Sequence, residues 1–255
     1  MAPGFQPPAP EEKEQYVREL FDRIAENYDA MNQVMSAGQW ERWHKEFVGH
    51  TRFRPGDLIL DVACGTGDLT LLDAAQVAPD GKVIGVDISE GMLEVGRRRV
   101  AASPYKDLIT LQLGNAMDLP FADNTFDGVT MGWAMRNVAS IPRTLAEIHR
   151  VLKPGGRFIC LEASKPFSRV IRFGFFLYWK TFLPLIDWFV VKTGREAKVR
   201  PYTYLSRSLD NYPFPDQLEA LFREAGFVET DYQLLMLGTV AIHVGTKRRE
   251  GSCRG

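Results

Sequence analysis

The chain has 255 residues, a length that fits one large domain or, less readily, two small ones. Its 31 basic and 32 acidic side chains give a net charge of −1, so the overall charge does not indicate a nucleic-acid partner. The three cysteines, Cys64, Cys160 and Cys253, form no CxxC pair, which is typical of a protein in a reducing cytosol. The four histidines are scattered along the chain, and we expect no metal site.

The predicted elements begin with a helix over 11–30 and a second helix around 39–50. Strands and helices then alternate, with strands at 58–63, 82–87, 108–113, 126–131 and 157–162 and helices at 68–77, 90–102 and 142–152. This alternation is typical of an α/β protein with a doubly wound parallel sheet. Lys153–Gly156 predicts the turn before the fifth strand, because Pro ends a helix and Gly permits a left-handed turn.

The pattern changes after residue 163. Residues 165–211 are rich in aromatic side chains and predict a helical insertion instead of another βαβ unit. A helix at 214–225 and strands at 227–232 and 239–246 follow, and we expect them to complete the sheet. The chain is therefore predicted to form a single domain, 1–255, with disordered ends at 1–15 and 248–255. Its proline-rich start lacks an apolar core and does not indicate a signal peptide.

The most informative stretch runs from Leu60 to Leu69. An apolar run ends in Asp61 and leads into Gly65-Thr66-Gly67 and the predicted start of a helix, and a second apolar run ends in Asp87. A glycine-rich turn after one strand and an acid at the end of the next are typical of a nucleotide-type cofactor site. Asp87 can accept hydrogen bonds from a ribose. The alternative is a tight strand-to-helix turn that holds no ligand.

The spacing favours S-adenosylmethionine over NAD. A dinucleotide fingerprint has a third glycine that lets helix and strand pack closely, and this chain has Thr70 at that place. S-adenosylmethionine carries an ammonium group instead of a pyrophosphate, and an acid such as Asp61 suits an ammonium group. Asp87 does not discriminate, because both cofactors present a free ribose diol.

Further segments resemble one family over about residues 16–247. They are Tyr28-Asp29-Ala30-Met31-Asn32, Gly114-Asn115-Ala116, Arg136-Asn137-Val138, Glu162-Ala163-Ser164-Lys165-Pro166 and Tyr202-Thr203-Tyr204-Leu205. On these segments the chain resembles the class I methyltransferases and, more narrowly, the C-methyltransferases of menaquinone and ubiquinone biosynthesis. The resemblance implies a Rossmann-like fold with a seven-stranded, mostly parallel sheet whose last strand is antiparallel. It also implies a helical N-terminal cap and a helical lid over 165–211.

The resemblance implies methyl transfer from S-adenosylmethionine to a ring carbon of a prenylated hydroquinone, with demethylmenaquinol as the preferred acceptor. On this basis we expect catalytic roles for Arg136, Asn137 and Tyr28, with Arg136 stabilising the ionised ring hydroxyl. The residues expected to contact the cofactor are Asp61, Gly65, Thr66, Gly67, Asp87, Asn115, Ala116 and Gly132. The residues expected to contact the acceptor are Asn32, Tyr202 and Tyr204.

Several of these assignments have alternatives. Arg136 could cap the next helix or pair with a surface acid, and Asn137 could be only a turn residue. Tyr28 and Asn32 could only pack, and the run Arg97-Arg98-Arg99 predicts a solvated helix face. The chain also departs from the family at Gly132, where members often have a serine, so no hydroxyl group is available there. Other functions that stay open are methyl transfer to a sterol, polyketide or sugar, a nicotinamide-dependent oxidoreductase, and a non-catalytic cofactor-binding protein.

The insertion also has a distinctive charge. Residues 165–200 carry a net charge of +6, whereas the remainder of the chain carries −7. Val170–Val191 is long and apolar, but Arg172, Lys180 and Asp187 within it argue against a membrane span. We expect this segment to admit the isoprenoid tail and to dock transiently on anionic lipid, so that a cytoplasmic protein works at the inner face of the membrane. The expected partners are this lipid surface, the prenyl quinol and a second copy of the chain.

Overall fold

The computed structural model describes the backbone of residues 12–36, 38–189 and 201–249, and the side chains of these residues outside 182–189 and 201–202. The strands are β1 (Leu58–Val62), β2 (Lys82–Asp87), β3 (Ile109–Leu113), β4 (Phe126–Gly132), β5 (Leu152–Ala163), β6 (Phe227–Leu235) and β7 (Val240–Lys247). The helices are α1 (Lys13–Ile24), α2 (Tyr28–Met35), α3 (Trp40–Thr51), α4 (Asp68–Val77), α5 (Glu90–Ala101), α6 (Ile141–Val151), α7 (Arg169–Phe189), α8 (Pro201–Ser208) and α9 (Pro215–Glu224).

All seven strands form one sheet in the order β3-β2-β1-β4-β5-β7-β6. Strands β1 to β5 run parallel to one another. Strand β7 is antiparallel to both of its neighbours, β5 and β6. The predicted seven-stranded, mostly parallel sheet with an antiparallel last strand is therefore confirmed. Because helices cover both faces, the inner strands are buried on both sides, as the apolar run Ile59-Leu60 of β1 requires.

The N-terminal helices differ from their prediction in two ways. The single helix expected over 11–30 is broken by a 3₁₀ turn at Ala25–Asn27, so α1 and α2 are separate. The expected disorder of 1–15 is wrong for residues 13–15, since α1 begins at Lys13, whose ammonium donates hydrogen bonds to the carbonyls of Arg136 (3.3 Å) and Val138 (2.7 Å). Residues 1–11 and 250–255, which carry the rest of that prediction, lie outside the described residues.

The described part of the insertion between β5 and α9 consists of two helices and short connecting segments. Helices α7 and α8 pack on each other, and residues 190–200 between them lie outside the described ranges. Neither these helices nor any other in the described ranges combines the length and apolar character that crossing a bilayer requires. The turn predicted at Lys153–Gly156 lies within β5. There the pairing of β5 with β4 is irregular, because Phe126 pairs with Leu152 whereas Gly128, two residues later, pairs with Arg157.

Candidate active site

The carboxyl ends of β1, β2 and β4 meet at one edge of the sheet. Strand β1 is followed by the glycine loop, residues 63–67, in which Gly65 and Gly67 have φ angles of 55° and 86°. This is the left-handed region that glycine enters without steric cost. Gly67 is the N-cap of α4, so the loop turns the chain from the strand directly into the helix.

Asp87, the last residue of β2, anchors the glycine loop. One oxygen of its carboxylate accepts a hydrogen bond from the Gly65 N–H (2.8 Å) and the other from the Ser89 N–H (2.9 Å). Burial raises the pKa of Asp87 to about 6, although these backbone donors oppose the shift. A carboxylate oxygen can accept a second hydrogen bond, so Asp87 retains acceptor capacity for a ligand in the adjoining cavity.

Asp61 lies in β1 within a buried polar cluster. It accepts hydrogen bonds from the hydroxyls of Thr70 (2.6 Å) and Thr130 (3.3 Å), and the Thr130 hydroxyl also lies 2.7 Å from the carboxylate of Asp73. Burial raises the pKa of Asp61 to about 7, and burial and the nearby charge of Asp61 raise the pKa of Asp73 well above its usual range. Asp61 and Asp73 therefore share a buried site that disfavours two negative charges at once.

A cavity of about 720 Å³, including its open mouth, lies over these strand ends. Asp87 and Gly65 form its floor, the segment from Gly114 to Met117 after β3 forms one side, and Val17 of α1 and Tyr28 of α2 contribute to its roof. Asn115, Ala116 and Gly132 also line it, as the sequence predicts for the cofactor site. The N-terminal helices therefore form part of the cavity wall.

A smaller cavity adjoins the first at Tyr28, Gly65 and Trp133. Asp61 and Thr66 line it, together with aromatic residues that the sequence analysis missed: Trp40 and His44 of α3, and Trp133 after β4. The rings of Trp40 and Trp133 stack with centroids 5.2 Å apart. Their role was not visible in the sequence because α3 and Trp133 are about ninety residues apart and become neighbours only in the fold.

The segment after β4 is held in an unusual backbone conformation. Trp133 has a φ angle of 60°, which is uncommon for a bulky side chain and indicates local strain. Its N–H donates to the Leu161 carbonyl (2.8 Å), and its own carbonyl accepts from Arg136 (2.9 Å) and Asn137 (3.3 Å). These bonds present Asn137 to the larger cavity, which it lines. Its buried Oδ1 has no hydrogen-bond partner among the described residues.

Tyr28 lines both cavities and faces the glycine loop. Loss of solvation raises the pKa of Tyr28 to about 12, and the neighbouring side chain of Asn32 and the charge of Arg136 oppose this shift. The phenol is therefore neutral at physiological pH. It can donate a hydrogen bond to a developing oxyanion, but it does not supply a phenolate base.

Arg136 does not line either cavity. Its side chain is 8% exposed and forms a short ion pair with Glu162, which is 1% exposed, while its Nε donates to the Ser208 hydroxyl (3.2 Å). Glu162 also accepts a hydrogen bond from the Arg136 N–H (3.2 Å). The sequence analysis noted Glu162 only as part of a motif and missed this pairing. The role of Arg136 at the acceptor stays a prediction, and its charge is balanced by Glu162.

The residues predicted to bind the acceptor do not all reach the cavities. Asn32 is buried beside Tyr28, and Tyr204 is buried in an apolar cluster with Val17 and Leu20 of α1. Tyr202 lies in α8, but its side chain is not among those described. Gly67 shapes the glycine loop without lining either cavity. The roles of Asn32, Tyr202 and Tyr204 therefore stay predictions.

Comparison with known proteins decides the family. The sequence model of the ubiE/COQ5 methyltransferase family matches residues 10–247, nearly the whole chain. The chain belongs to this family. Members of the ubiE/COQ5 family are class I methyltransferases with S-adenosylmethionine as methyl donor, so the enzyme class and the cofactor predicted from the sequence are confirmed.

Individual relatives agree with this membership. The chain is 93% identical to the demethylmenaquinone methyltransferase of Symbiobacterium thermophilum, over 98% of this chain and 100% of the relative. The fold is similar to that of an S-adenosylmethionine-dependent methyltransferase of Thermotoga maritima, with a TM-score of 0.58, 20% identity, and coverage of 90% of this chain and 99% of the other. It is also similar to the [4+2]-cyclase SpnF, with a TM-score of 0.67, 17% identity, and coverage of 93% and 96%. Likenesses this remote show the fold alone.

The cavity residues of this ubiE/COQ5 family member fit S-adenosylmethionine. The carboxylates of Asp87 and Asp61 match a ribose diol and an ammonium group, and the unpaired Oδ1 of Asn137 calls for a donor from a ligand. Gly65, Gly114 and Ala116 leave space for a bulky ligand because they carry little or no side chain. When bound, the cofactor would supply an electrophilic methyl group, and these residues are the ones that would hold it.

Cofactor affinity is expected to fall as the pH is lowered from 7 to about 5.5, by up to about tenfold per pH unit. The reason is that an ammonium group binds the ionised form of Asp61, whose pKa is about 7 before the cofactor binds. Asp61 is half protonated at pH 7, so the affinity is full only about one pH unit or more above 7 and is lost progressively below it. Asp87, with a pKa of about 6, adds to the loss at the acid end. Calorimetry at several pH values measures this dependence. Asp61→Asn should bind more weakly and show a flatter profile, whereas an unchanged wild-type affinity at pH 5.5 would contradict the assignment.

Proposed function

We propose that this protein transfers the methyl group of S-adenosylmethionine to a ring carbon of demethylmenaquinol and so forms menaquinol. The observation that carries the proposal is the 93% identity, over the full length of the relative, to a protein named demethylmenaquinone methyltransferase. The cavity supports it, because neutral polar groups and aromatic side chains line the space beside the cofactor residues.

The chemistry requires that a ring hydroxyl loses its proton, because ionisation makes the adjacent carbon nucleophilic. A phenol with a pKa of about 10 needs about 4 kcal/mol to ionise at neutral pH. Tyr28 can donate one hydrogen bond to the developing oxyanion, and a charge-assisted bond contributes about 1.5–3 kcal/mol. The Oδ1 of Asn137 can hold a water molecule that passes the hydroxyl proton on to solvent. The alignment of the ring carbon with the methyl group supplies much of the remainder. Once the carbon–methyl bond has formed and the bond from the methyl group to sulfur has broken, S-adenosylhomocysteine leaves, and the ring carbon gives up its own proton to solvent, which restores the aromatic ring.

We propose a different role for Arg136 than direct contact with the acceptor. Its guanidinium donates to the Trp133 carbonyl and pairs with Glu162, so it fixes the segment that presents Asn137. Its charge also lowers the pKa of Tyr28 through space. Arg136 thus positions Asn137 and acts on Tyr28 through its charge alone, and it affects the acceptor through these two groups.

The experiment that tests the function is incubation of the protein with isotope-labelled S-adenosylmethionine and a panel of demethylated prenyl quinols, with products identified by mass spectrometry. Carbon methylation of the naphthoquinol in preference to the benzoquinol is expected. Methylation of the benzoquinol alone would transfer the proposal to ubiquinone biosynthesis, and methylation of neither would overturn it. A thermal shift with NAD but none with S-adenosylmethionine would favour an oxidoreductase instead.

We also propose that the protein docks on anionic membranes through an apolar surface, which we call the insertion patch. It consists of Val170, Phe173 and Leu177 of α7, 82%, 73% and 55% exposed, and Leu237 in the turn before β7, 78% exposed. The three α7 residues follow helical spacing along one face. The turn lies against the start of the insertion, since a Cβ built at Gly238 would lie 3.3 Å from the Cα of Pro166.

Charge supports an anionic partner for the insertion patch. Arg169 at the start of α7 is exposed, and Lys180 further along is also exposed although it pairs with Asp210 at 2.8 Å. Basic side chains beside exposed apolar ones are typical of helices that lie at a lipid interface. A membrane surface is also where a prenylated acceptor dissolves. A role of the insertion as lid, a cytoplasmic location at the inner face of the membrane and a homodimer remain predictions.

Liposome flotation tests the membrane proposal. The wild type is expected to float with anionic vesicles at low salt and to be released as salt rises, because exposed charges are screened. The triple variant Val170→Gln, Phe173→Gln, Leu177→Gln should stay with the unbound fraction. The matched control is Leu113→Gln, an exposed leucine of β3 at the opposite edge of the sheet from β6, and it should float. A wild type that ignores anionic vesicles, or a triple variant that floats like the control, would contradict the proposal.

A further inference from the structure

The run Arg97-Arg98-Arg99 in α5 is not a uniform solvated face. Arg97 pairs with Glu90 at 2.6 Å and Arg98 with Glu26 at 2.5 Å, and the side chains of both pairs are largely exposed. Arg99 is the least exposed of the three, at 32%, and it makes contacts of a different kind. The proposed function assigns no role to it.

Arg99 connects three segments at the edge of the cofactor site. Its Nη1 donates to the carboxylate of Asp29 in α2 (2.9 Å) and to the carbonyl (3.1 Å) and hydroxyl (3.0 Å) of Thr66 in the glycine loop. Its Nη2 forms a short ion pair with Asp68 at the start of α4. The planar guanidinium can serve these acceptors together, whereas a single ammonium group could not.

The acceptors of Arg99 are themselves attached to residues of the cavities. Asp29 follows Tyr28 directly and accepts a hydrogen bond from the Thr66 hydroxyl (2.6 Å). Asp68 accepts a hydrogen bond from the indole N–H of Trp40 (3.0 Å), and the Trp40 ring stacks on Trp133. One cation therefore contacts the supports of both the tyrosine and the tryptophan pair.

The backbone of α5 is built to approach the glycine loop at this place. Gly96, one turn before Arg99, lies so close that a Cβ built there would be 3.3 Å from the Gly65 carbonyl oxygen and 2.9 Å from the Leu111 side chain. Removal of Arg99 would leave Asp29 and Asp68 together without their shared cation. Burial and, to a smaller extent, the charge of Asp68 raise the pKa of Asp29, and the Thr66 hydroxyl and the charge of Arg99 oppose that shift.

We propose that Arg99 is a positioning residue for methyl transfer. It holds the N-terminal helices and the glycine loop in a fixed relative position. Cofactor affinity and the placement of Tyr28 are therefore coupled. The proposal deepens the proposed function and rests on it for the acceptor step only. Its cofactor step can be tested without any acceptor.

The test compares Arg99→Ala with Arg98→Ala, the neighbouring arginine that also pairs with the cap but away from the cavity. We expect Arg99→Ala to weaken S-adenosylmethionine binding at least about tenfold in calorimetry, since two charge-assisted contacts to the loop are lost. At saturating cofactor, kcat on the quinol should remain reduced by at least about tenfold, because Tyr28 has lost its support. Arg98→Ala should match the wild type in both, and Arg99→Lys should lie between, because it keeps the charge without the fork.

Thermal unfolding and a double-mutant cycle separate positioning from stability. Arg99→Ala and Asp29→Asn should be strongly non-additive in cofactor affinity, because they remove the same contact. The proposal is overturned if Arg99→Ala matches Arg98→Ala, if the two losses simply add, or if saturating cofactor restores the wild-type kcat. A wild type that binds the cofactor but methylates no quinol would overturn the proposed function, while the calorimetric comparison would still decide the role of Arg99.

Discussion

Replacement of Glu162 by Ala is expected to lower the free energy of unfolding by about 3–5 kcal/mol. Glu162 and Arg136 are both buried, and the carboxylate accepts hydrogen bonds from the guanidinium, from the Arg136 N–H and from the Ala163 N–H (2.7 Å). Without Glu162 the buried guanidinium keeps its hydrogen bonds to the Ser208 hydroxyl and the Trp133 carbonyl but has lost its counter-charge. The cost comes mainly from this unpaired cation, because an intact buried pair contributes little net stability.

Urea unfolding followed by circular dichroism measures the effect. The matched control is Asp123→Ala, which removes the partner of Arg150 in a pair whose carboxylate is 68% exposed, and it should change stability by less than about 1 kcal/mol. The double replacement Arg136→Met, Glu162→Leu should recover much of the loss, since it removes both charges together. Equal free energies of unfolding for Glu162→Ala and the control would contradict the prediction, because they would show that the Arg136 guanidinium reaches solvent or pairs with another group.

Replacement of Asp87 by Ala is expected to weaken S-adenosylmethionine binding by at least about tenfold, since hydrogen bonds to a charged group contribute about 1.5–3 kcal/mol each. In this structure the expected loss of cofactor affinity is larger than the loss of a ligand contact alone would cause. Asp87 also holds the N–H groups of Gly65 and Ser89, so its removal releases the glycine loop as well.

Calorimetry on the folded variants provides the measurement, and circular dichroism verifies the fold. Asp107→Ala, an exposed acid just before β3, is the control and should bind as the wild type does. Asp87→Asn should be intermediate, because it preserves the shape of the side chain but removes its charge. Unchanged affinity of Asp87→Ala would contradict the placement of the ribose at the end of β2.

The sheet and the cofactor edge were predictable because their signals are local. Apolar runs that end in Asp61 and Asp87, with glycines directly after the first, give both the strand ends and the loop between them. The parallel register then places the two acids at the same edge of the sheet without further information. The break at Ala25–Asn27 was missed because the apolar spacing continues through it, and only tertiary contacts separate α1 from α2.

The supports of the site were not predictable because they join distant parts of the chain. Arg136 and Glu162 are 26 residues apart, and Arg99 is 70 residues from Asp29. Neither pairing produces a periodic pattern in the sequence. A run of three arginines is the same sequence whether its side chains face water or the interior. Sequence patterns therefore indicated residues that line the cavities more readily than the residues that hold them in place.

The tryptophan cluster gives this protein a built-in optical reporter. Three of its five tryptophans, Trp40, Trp43 and Trp133, lie with ring centroids 5.2–6.4 Å apart, and two of them line the smaller cavity beside the glycine loop. Indole rings this close couple their electronic transitions, so a ligand that shifts Trp133 alters both the emission and the near-ultraviolet dichroism. Ligand binding to the cavity can thus be followed in real time by the fluorescence of the unmodified chain, with no dye and no radiolabel.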